Sequence, residues 1–329
     1  MISNKSLLYI GETHGVHDER FLKAFSLNFN VTAFFRSDIN QKKQKMQKQF
    51  DIIVVSPISY QLLKLSKYFE GTKIGVCWAI EVNHINHNGE EIELIQNNLK
   101  EFKAVIADAE YITDQIRKKF LFKGKVIRTY YGCELDQFLQ TRDSITNQNR
   151  ICVTRRWLPL YNNDLIIRAI TIIEKSHKVQ LVFTCNKENQ PDENHISLIS
   201  KLNSKAKLTQ ANSAEDIASI FASSDIYISA SQSDGISVSL LEAMASGLIC
   251  VVTNFPTNLE VITHGINGFV FKNNEVQSLV STLNEVFSLS KQERLDIIER
   301  AQQFVKSVGD WQKNKSKLLN SVLEISREN

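Results

Sequence analysis

The chain has 329 residues, which is enough for two domains of ordinary size. A hydrophobic content of 43% with 23% charged residues is typical of a globular protein and argues against a disordered or fibrous one. The net charge of +3 gives no reason to expect nucleic-acid binding, and no apolar run approaches the ~20 residues that span a bilayer.

The first half of the chain alternates short apolar runs with amphipathic stretches. This alternation predicts a βαβα order, and hence a parallel sheet with helices on both faces. A helix is expected near residues 17–28. The predicted strands are LLYI (7–10), VTAFF (31–35), DIIVV (51–55), KIGVCW (73–78), AVIA (104–107) and KVIRTY (125–130).

A polar segment, TRDSITNQN (141–149), then reads as a linker, and a second series of strands follows it. Two helical stretches, 275–307 and 311–326, end the sequence. We therefore predict an α/β fold of two Rossmann-like halves, with a nucleotide ligand in the cleft between them. The predicted strands of the second series are ICVT (151–154), VQLVFT (179–184), DIYIS (225–229), ICVV (249–252) and GFVF (268–271).

Cysteine usage and a group of lysines bear on the compartment. The five cysteines are far apart and show no zinc or redox spacing, so we expect reduced core residues. The start of the sequence has too short an apolar run for a signal peptide, which favours a cytoplasmic protein. Lys42, Lys43, Lys45 and Lys48 predict a solvated helix face, and a weak peripheral contact with the inner face of a membrane is the alternative.

The most informative segment is SQSDGISVSLLEAMASG (231–247). The run LLEAMAS predicts a helix that ends at Gly247, and Glu242 lies eight positions after Asp234. The start of a helix offers N–H donors and positive dipole to a phosphate, and carboxylates accept hydrogen bonds from sugar hydroxyls. At about 1.5 Å per residue the two acids lie up to roughly 12 Å apart, which suits a nucleotide-sugar.

A plainer explanation exists for each part of this segment. Acids at this spacing occur by chance, Glu242 could be a solvated helix residue, and Asp234-Gly235 a simple turn. The context favours a site, because the strand DIYIS leads into this loop and ligands in open α/β sheets bind at the carboxyl ends of strands.

On these residues the chain resembles the family 4 glycosyltransferases, which have the GT-B fold: two Rossmann-like domains with parallel sheets facing a central cleft. Asp234 and Glu242 fit the family's acid–seven residues–Glu motif, with Asp in place of the commoner first Glu. Three further segments resemble elements of the family: SLLEAMASG (239–247), NLEVITHGINGFVF (258–271) and ICVTRRWLPLYNNDLIIRAI (151–170).

The resemblance also implies a domain division. Residues 1–145 would form an acceptor-side domain and residues 146–308 a nucleotide-sugar domain. Residues 309–329 would form a helix that crosses back to the first domain, starting near Asp310-Trp311.

Site roles follow from the resemblance position by position. Glu242 should accept hydrogen bonds from the ribose, and Asp234 should lie near the hydroxyls of the transferred sugar. Arg156 or its neighbour Arg155 should neutralise the diphosphate, since a guanidinium stays charged and grips phosphate oxygens in pairs. The implied catalytic residues are Asp234, Arg156 and His17. The implied donor-binding residues are Glu242, the backbone N–H groups of Gly235, Ile236 and Ser237, and Arg155 and Gly15.

Two departures from the family pattern stand out. The family usually supplies a lysine five residues after the arginine, and here that position is Tyr161. Counter-charge must then come from Arg155, Arg156 or the start of the helix. Thr184-Cys185-Asn186 replaces a Gly-Asp-Gly-like turn, which leaves the contacts to the nucleotide base open.

Histidines and acids in the first half allow two interpretations each. Gly15 and His17 follow the first strand, where they could reach a donor or acceptor, or His17 with Asp18 could simply start the helix. His84 and His87 could share a metal, but no third ligand is evident, so we expect no metal. Glu81 could contact the acceptor or be an ordinary loop residue, and we expect the loop residue. Asp108-Ala109-Glu110 is similar to the Asp-x-Asp motif of metal-dependent glycosyltransferases, but we expect a helix cap there. For Glu134 we expect a structural role.

We predict a metal-independent, retaining glycosyltransferase that uses a nucleotide-sugar, with UDP favoured, and a glycan, lipid-linked or protein acceptor. No Gly-x-Gly-x-x-Gly opens the first strand–helix unit, and no Ser/His/Asp set is visible, which argues against an oxidoreductase or hydrolase. The alternatives are a nucleotide-sugar epimerase on the same fold and a catalytically silent homologue that acts as a binding subunit.

Overall fold

The computed structural model describes residues 5–13, 15–38, 49–83, 89–139, 149–204 and 206–327. The four lysines within 42–48, His84 and His87 lie outside these ranges, so what was predicted for them stays a prediction. The chain forms two compact units, Met1–Tyr130 with Gln312–Asn329 and Tyr131–Trp311.

The first unit is built on a parallel sheet. Its strands are β1 Ser6–Gly11, β2 Asn30–Phe35, β3 Gln49–Ser56, β4 Glu70–Val76, β5 Phe102–Ala107 and β6 Lys125–Arg128. They pair in the order β2-β1-β3-β4-β5-β6, and each pairing is parallel. Its helices are α1 Val16–Phe25, α2 Tyr60–Ser66, α3 Ile80–Asn83, α4 Gly89–Leu99 and α5 Glu110–Lys119, with a 3-10 turn at Arg36–Asp38. The six strands predicted for this half are confirmed, with β4 ending at Val76.

The second unit repeats this plan. Its strands are β7 Arg150–Val153, β8 Gln180–Cys185, β9 Lys207–Gln210, β10 Ile226–Ser229, β11 Ile249–Thr253 and β12 Phe269–Phe271. They pair in parallel in the order β12-β11-β10-β7-β8-β9. Its helices are α6 Leu135–Phe138, α7 Asn163–Ile173, α8 Glu193–Ser200, α9 Ala214–Ala222, α10 Val238–Ala245, α11 Pro256–Leu259, α12 Val276–Ser288 and α13 Lys291–Val308, with a 3-10 turn at Pro159–Tyr161.

The prediction for the second half was wrong at two places. Strand β9 was missed because it is a mostly exposed edge strand, KLTQ, with no apolar run. The stretch 275–307 is two helices, because Leu289 is extended and Ser290 caps α13. A capping box between Ser290 and Glu293 closes that start, and the S-x-x-E spacing was readable in the sequence.

Residues 131–138 belong to the second unit, so the division falls before the predicted boundary at 145/146. The Cys133 N–H donates to the Gly309 carbonyl at 2.8 Å, and the Trp311 N–H donates to the Cys133 carbonyl at 3.0 Å. The Phe138 ring lies 6.2 Å from that of Phe221. These contacts tie the segment to the second unit, while residues 140–148 lie outside the described ranges.

A final helix, α14 (Trp311–Ile325), starts at the last residue of the second unit and otherwise belongs to the first. Leu318 and Val322 of this helix are fully buried. The described helices are each too short or too polar to traverse a bilayer. All five cysteines are buried and unbridged, as the sequence predicted.

The central strands of the second sheet are buried on both faces, because helices cover both sides of a parallel sheet. β10 and β11 have no exposed residue, and Ile151 and Val153 of β7 are fully buried. The carboxyl ends of these three neighbouring strands therefore deliver their following loops to one edge of the sheet.

Candidate active site

The loop 230–237 lies at the carboxyl edge of the second sheet and is held by side chains from its neighbours. The Thr253 hydroxyl donates to the Ser231 carbonyl at 2.7 Å, and the Thr257 hydroxyl donates to the Asp234 carbonyl at 3.2 Å. The Gln232 N–H donates to the Leu160 carbonyl at 2.9 Å. The loop that carries the first acid of the motif is thus anchored on both sides.

Helix α10 has the limits that its sequence predicts. The Ser237 hydroxyl accepts from the Leu240 N–H at 3.4 Å and so caps the start. Gly247 has a φ of 73° and follows the helix in the left-handed conformation. The Leu248 N–H donates back to the Ala243 carbonyl at 3.1 Å, the bond expected of a glycine-terminated helix. Half-buried Glu242 lies on α10, so its predicted placement on a helix is confirmed.

The Arg155 guanidinium reaches from the end of β7 to the amino end of α10. Its Nη2 donates to the Asp234 carboxylate at 2.5 Å, and its Nη1 donates to the hydroxyls of Ser237 and Ser239 at 2.8 and 3.2 Å. The two charged side chains are 12% and 23% exposed. The structure thus brings together three predicted site residues, Arg155, Asp234 and Ser237.

Further contacts to this cluster were missed by sequence reasoning. The Arg155 Cζ lies 4.2 Å from the centre of the Tyr161 ring. The Tyr227 hydroxyl lies 3.0 Å from the Ser239 Oγ, and that Oγ lies 3.0 Å from the Oγ of Ser237. The sequence indicated Tyr161 only as the residue in place of the family's lysine. The two serines at the start of the helix, Ser237 and Ser239, were the sequence signal for the remaining contacts.

Burial and neighbouring charges act in opposite directions on the ion pair. Burial lowers the pKa of Arg155, but Asp234 and the phenols of Tyr161 and Tyr227 raise it by more, so it lies above its ordinary value. Burial raises the pKa of Asp234 above its ordinary value, and the Arg155 charge and the Gly235 N–H offset part of that rise. Removing the guanidinium would therefore raise the pKa of Asp234 further.

The backbone after Asp234 is buried. Gly235, Ile236 and Ser237 are all buried, and the Gly235 N–H donates to the Asp234 Oδ1 at 3.0 Å. In this structure the Gly235 N–H is therefore bound to the neighbouring Asp234 carboxylate. Its predicted contact with the nucleotide-sugar requires that this hydrogen bond breaks.

Arg156 differs from Arg155 in its surroundings. Arg156 is exposed, and its carbonyl accepts from the Asn163 Nδ2 at 3.2 Å, which fixes the backbone of this loop. Trp157 beside it is buried and lies 4.9 Å from the Phe183 ring. The loop is thus pinned by Trp157 while the Arg156 side chain faces solvent.

Gly15 and His17 belong to the first unit, and the cluster just described belongs to the second. Gly15 caps α1 in an extended conformation, and Asp18 lies in the first turn of that helix. The exposed His17 ring lies 5.0 Å from the Trp78 ring, whose Nε1 donates to the Ser56 hydroxyl at 2.9 Å. Sequence reasoning missed Trp78, which follows β4 at the carboxyl edge of the first sheet.

Two expectations for acids in the first unit were wrong. Glu81 is no ordinary loop residue: it is 5% exposed in α3, and its carboxylate accepts from the Trp78 N–H at 2.9 Å. The cap of α5 is Ala109, since Asp108 is buried one residue earlier. Within the described ranges, no three His, Cys, Asp or Glu side chains are grouped as a metal site would require.

The chain is similar in sequence to known glycosyltransferases. The family described as Glycosyl transferases group 1 matches residues 137–304. An uncharacterized glycosyltransferase of Methanocaldococcus jannaschii is 22% identical over 279 residues, which is 76% of this chain and 71% of that protein. A UDP-Gal:alpha-D-GlcNAc-diphosphoundecaprenol alpha-1,3-galactosyltransferase of Escherichia coli is 29% identical over 85 residues, 26% of this chain and 22% of that protein.

Solved structures share the fold along the chain. Sucrose-phosphate synthase from Thermosynechococcus elongatus superposes with a TM-score of 0.80 at 9% identity and covers 98% of this chain and 99% of its own. HepE of Anabaena, in complex with UDP-glucose, gives a TM-score of 0.78 at 13% identity and covers 98% and 100%. The predicted GT-B fold is confirmed. Because the family match spans just over half of the chain, the chain belongs to the glycosyl transferases group 1 and is a glycosyltransferase.

Proposed function

We propose that this chain is a retaining glycosyltransferase that moves a sugar from a UDP-sugar to a glycan, lipid-linked or protein acceptor. The observation that carries the proposal is the meeting of Arg155, Asp234 and Ser237 at the amino end of α10, which also bears Glu242. A cation, carboxylates and a helix start are the groups that recognise a diphosphate joined to a sugar. The UDP-glucose complex of HepE, which shares the fold, supports UDP as the nucleotide.

The two acids have separate tasks in this proposal. Glu242 accepts hydrogen bonds from the ribose hydroxyls, and Asp234 accepts them from hydroxyls of the transferred sugar. Asp234 is supported for the sugar because it precedes α10 within the anchored loop, beside the backbone of Gly235.

Negative charge grows on the leaving diphosphate as the glycosidic bond breaks. Arg155 and Arg156 follow β7 after Thr154, and Arg155 contacts the amino end of α10. Fixed positive charge and the helix dipole at this point stabilise the leaving group without reorganisation, and loss of one such donor typically costs ~3 kcal/mol in barrier height. Retention of configuration is proposed from the family resemblance, and we assign no nucleophile.

Gly15 and His17 remain proposed contacts for the donor phosphate or the acceptor. The Trp78 ring beside His17 supports this, because an aromatic face with a polar edge suits binding sites for polar ligands.

The test is release of nucleotide from a panel of UDP- and GDP-sugars, with and without glycan, lipid-linked and peptide acceptors. The wild type should release UDP, and Glu242→Ala should lower the rate by roughly 10²-fold. Glu299→Ala is the matched control, because Glu299 is also a helical glutamate of the second unit but is exposed on α13.

Three outcomes would contradict the proposal. UDP binding without turnover on any acceptor would indicate a silent homologue. Conversion of the donor sugar with its nucleotide still attached would indicate an epimerase. Equal rates for Glu242→Ala and Glu299→Ala would remove the acid pair from the account.

A further inference from the structure

The Tyr161 ring is held in place by the loop that carries it. Tyr161 ends the 3-10 turn, and its N–H donates to the Leu158 carbonyl at 2.9 Å. The next residue, Asn162, has a φ of 49°, and its Nδ2 donates to the Asn274 Oδ1 at 3.0 Å. An asparagine tolerates this left-handed conformation well, so the turn presents the ring in a defined place.

The Arg155 guanidinium contacts both this ring and the acid Asp234. Its hydrogen bonds go to Asp234, Ser237 and Ser239, while its Nε is buried without a hydrogen-bond partner among the described residues. Hydrogen bonds alone therefore leave part of the guanidinium unsatisfied. The aromatic face, 4.2 Å from the Cζ, attracts the guanidinium in addition to these hydrogen bonds.

We propose that Tyr161 is a positioning residue whose ring holds the Arg155 guanidinium against Asp234, so that cation and acid are set before the donor arrives. This rests on the proposed function of the site. Tyr161 touches no reacting atom in this role; it acts through Arg155, which in turn orients and ionises Asp234.

The arrangement also separates the two arginines. Arg155 is committed to an internal ion pair, whereas Arg156 is exposed one residue later. Direct contact with the diphosphate then falls to Arg156, while Arg155 supplies a fixed charge at the start of α10. Loss of the ring should accordingly affect the sugar end of the donor more than its nucleotide end.

The experiment compares ring-bearing and ring-free variants of the full chain. Tyr161→Phe and Tyr161→Trp keep an aromatic face, and Tyr161→Leu and Tyr161→Met remove it at similar volume. Donor turnover is measured as kcat and KM for the preferred UDP-sugar, UDP affinity by calorimetry, and folding by thermal unfolding. We expect Tyr161→Leu and Tyr161→Met to lower kcat about tenfold. Their UDP affinity should change less than about threefold.

The pH profile gives a readout that a purely structural role would not move. Asp234 contacts the charged Arg155, and Arg155 is in turn faced by the phenols of Tyr161 from the β7–α7 loop and Tyr227 from β10. If the ring is lost, Arg155 lowers the pKa of Asp234 less, so the acid limb of the activity should move to higher pH in Tyr161→Leu and Tyr161→Met. Tyr161→Phe and Tyr161→Trp should keep the acid limb of the wild type.

Two results are distinguishable from each other. If the wild type transfers sugar while the ring-free and ring-bearing variants share one kcat and one acid limb, the role of Tyr161 is overturned and the proposed function stands. If the wild type neither binds UDP nor releases it from any UDP-sugar, the proposed function fails and takes the Tyr161 role with it. If Tyr161→Leu does not fold, the comparison is made with Tyr161→Met.

Discussion

Arg155 and Asp234 form an ion pair at the amino end of α10. The pair is 2.5 Å apart and mostly buried, and the carboxylate also accepts the Gly235 N–H. Breaking one partner of a buried pair leaves the other charge without compensation, which is costly. The site therefore depends on both members, although only the acid is proposed to contact the sugar.

Asp234→Asn should separate sugar recognition from nucleotide binding. The amide still reaches the sugar but no longer accepts hydrogen bonds as a carboxylate, so we expect kcat to fall by roughly 10²-fold. UDP affinity should be kept or rise, because Arg155 loses its internal counter-ion. Calorimetry with UDP and a donor-turnover assay measure the two effects, and an equal loss of both would place Asp234 at the nucleotide instead.

Asp51 in the first unit links stability to pH. The backbone N–H and the hydroxyl of Ser6 donate to its carboxylate at 2.7 and 2.8 Å, and these bonds hold its pKa below the ordinary 3.8. Such stabilisation is present above the pKa of the unfolded chain and is lost as pH falls through the folded-state value.

Asp51→Asn should accordingly lower the urea midpoint at pH 7, and the difference from wild type should shrink below about pH 4. Urea titrations at several pH values measure this. A difference that stays constant from pH 7 to pH 3 would show that the carboxylate charge is not the cause.

Helix α10 illustrates what a sequence can predict. Its start, its end at Gly247 and the place of Glu242 on it follow from local signals that the structure confirms. The partners of Arg155 do not, because Tyr161, Ser239 and Tyr227 meet only when β7, β10 and the segments that follow them assemble. For the same reason the sequence did not show that Arg155 is held in an ion pair and mostly buried while Arg156 is exposed.

The elements that were missed had weak local signals. Strand β9 pairs on one side only and buries little of its side-chain surface, so its sequence has no periodic apolar pattern that would predict a strand. Glu81 became buried because α3 turns its carboxylate back onto the Trp78 N–H, a contact that depends on the end of β4. Pairing with β8 decided the place of β9, and the end of β4 decided the surroundings of Glu81.

Gly247→Ala should destabilise the second unit. At φ 73° a side chain meets the following carbonyl, which costs roughly 1–2 kcal/mol. Gly89→Ala is the matched control, since a Cβ there has nothing within 4 Å and its φ is not left-handed. Thermal unfolding should show a lower midpoint for Gly247→Ala alone, and equal midpoints for both variants would contradict the role of the turn.

The two units have separate sheets, and the chain returns to the first unit through α14. The Lys5 Nζ donates to the Ser326 carbonyl at 2.6 Å, and Lys125 lies 3.7 Å from Glu324. Fully buried Leu318 and Val322 supply the apolar contact of this helix. The last residues of the sequence therefore stabilise its first domain.

Leu318→Ala should destabilise the first unit by ~3 kcal/mol through lost burial and a cavity. UDP binding should persist below the new transition, because the contacts proposed for the nucleotide lie in the second unit, apart from those of Gly15 and His17. Differential scanning calorimetry with and without UDP separates the two effects. Loss of UDP binding in a still folded variant would show that the nucleotide depends on the first unit.

We propose that a nucleotide-sugar lies along α10, with Asp234 at the sugar end of the ligand and Glu242 at its ribose. A crystal structure of the full chain with a UDP-sugar tests this directly. We expect the ribose hydroxyls on Glu242, the diphosphate at the amino end of α10 near Arg156, and the sugar hydroxyls on Asp234. Nucleotide bound away from α10, or both carboxylates without a contact to the bound donor, would contradict the account.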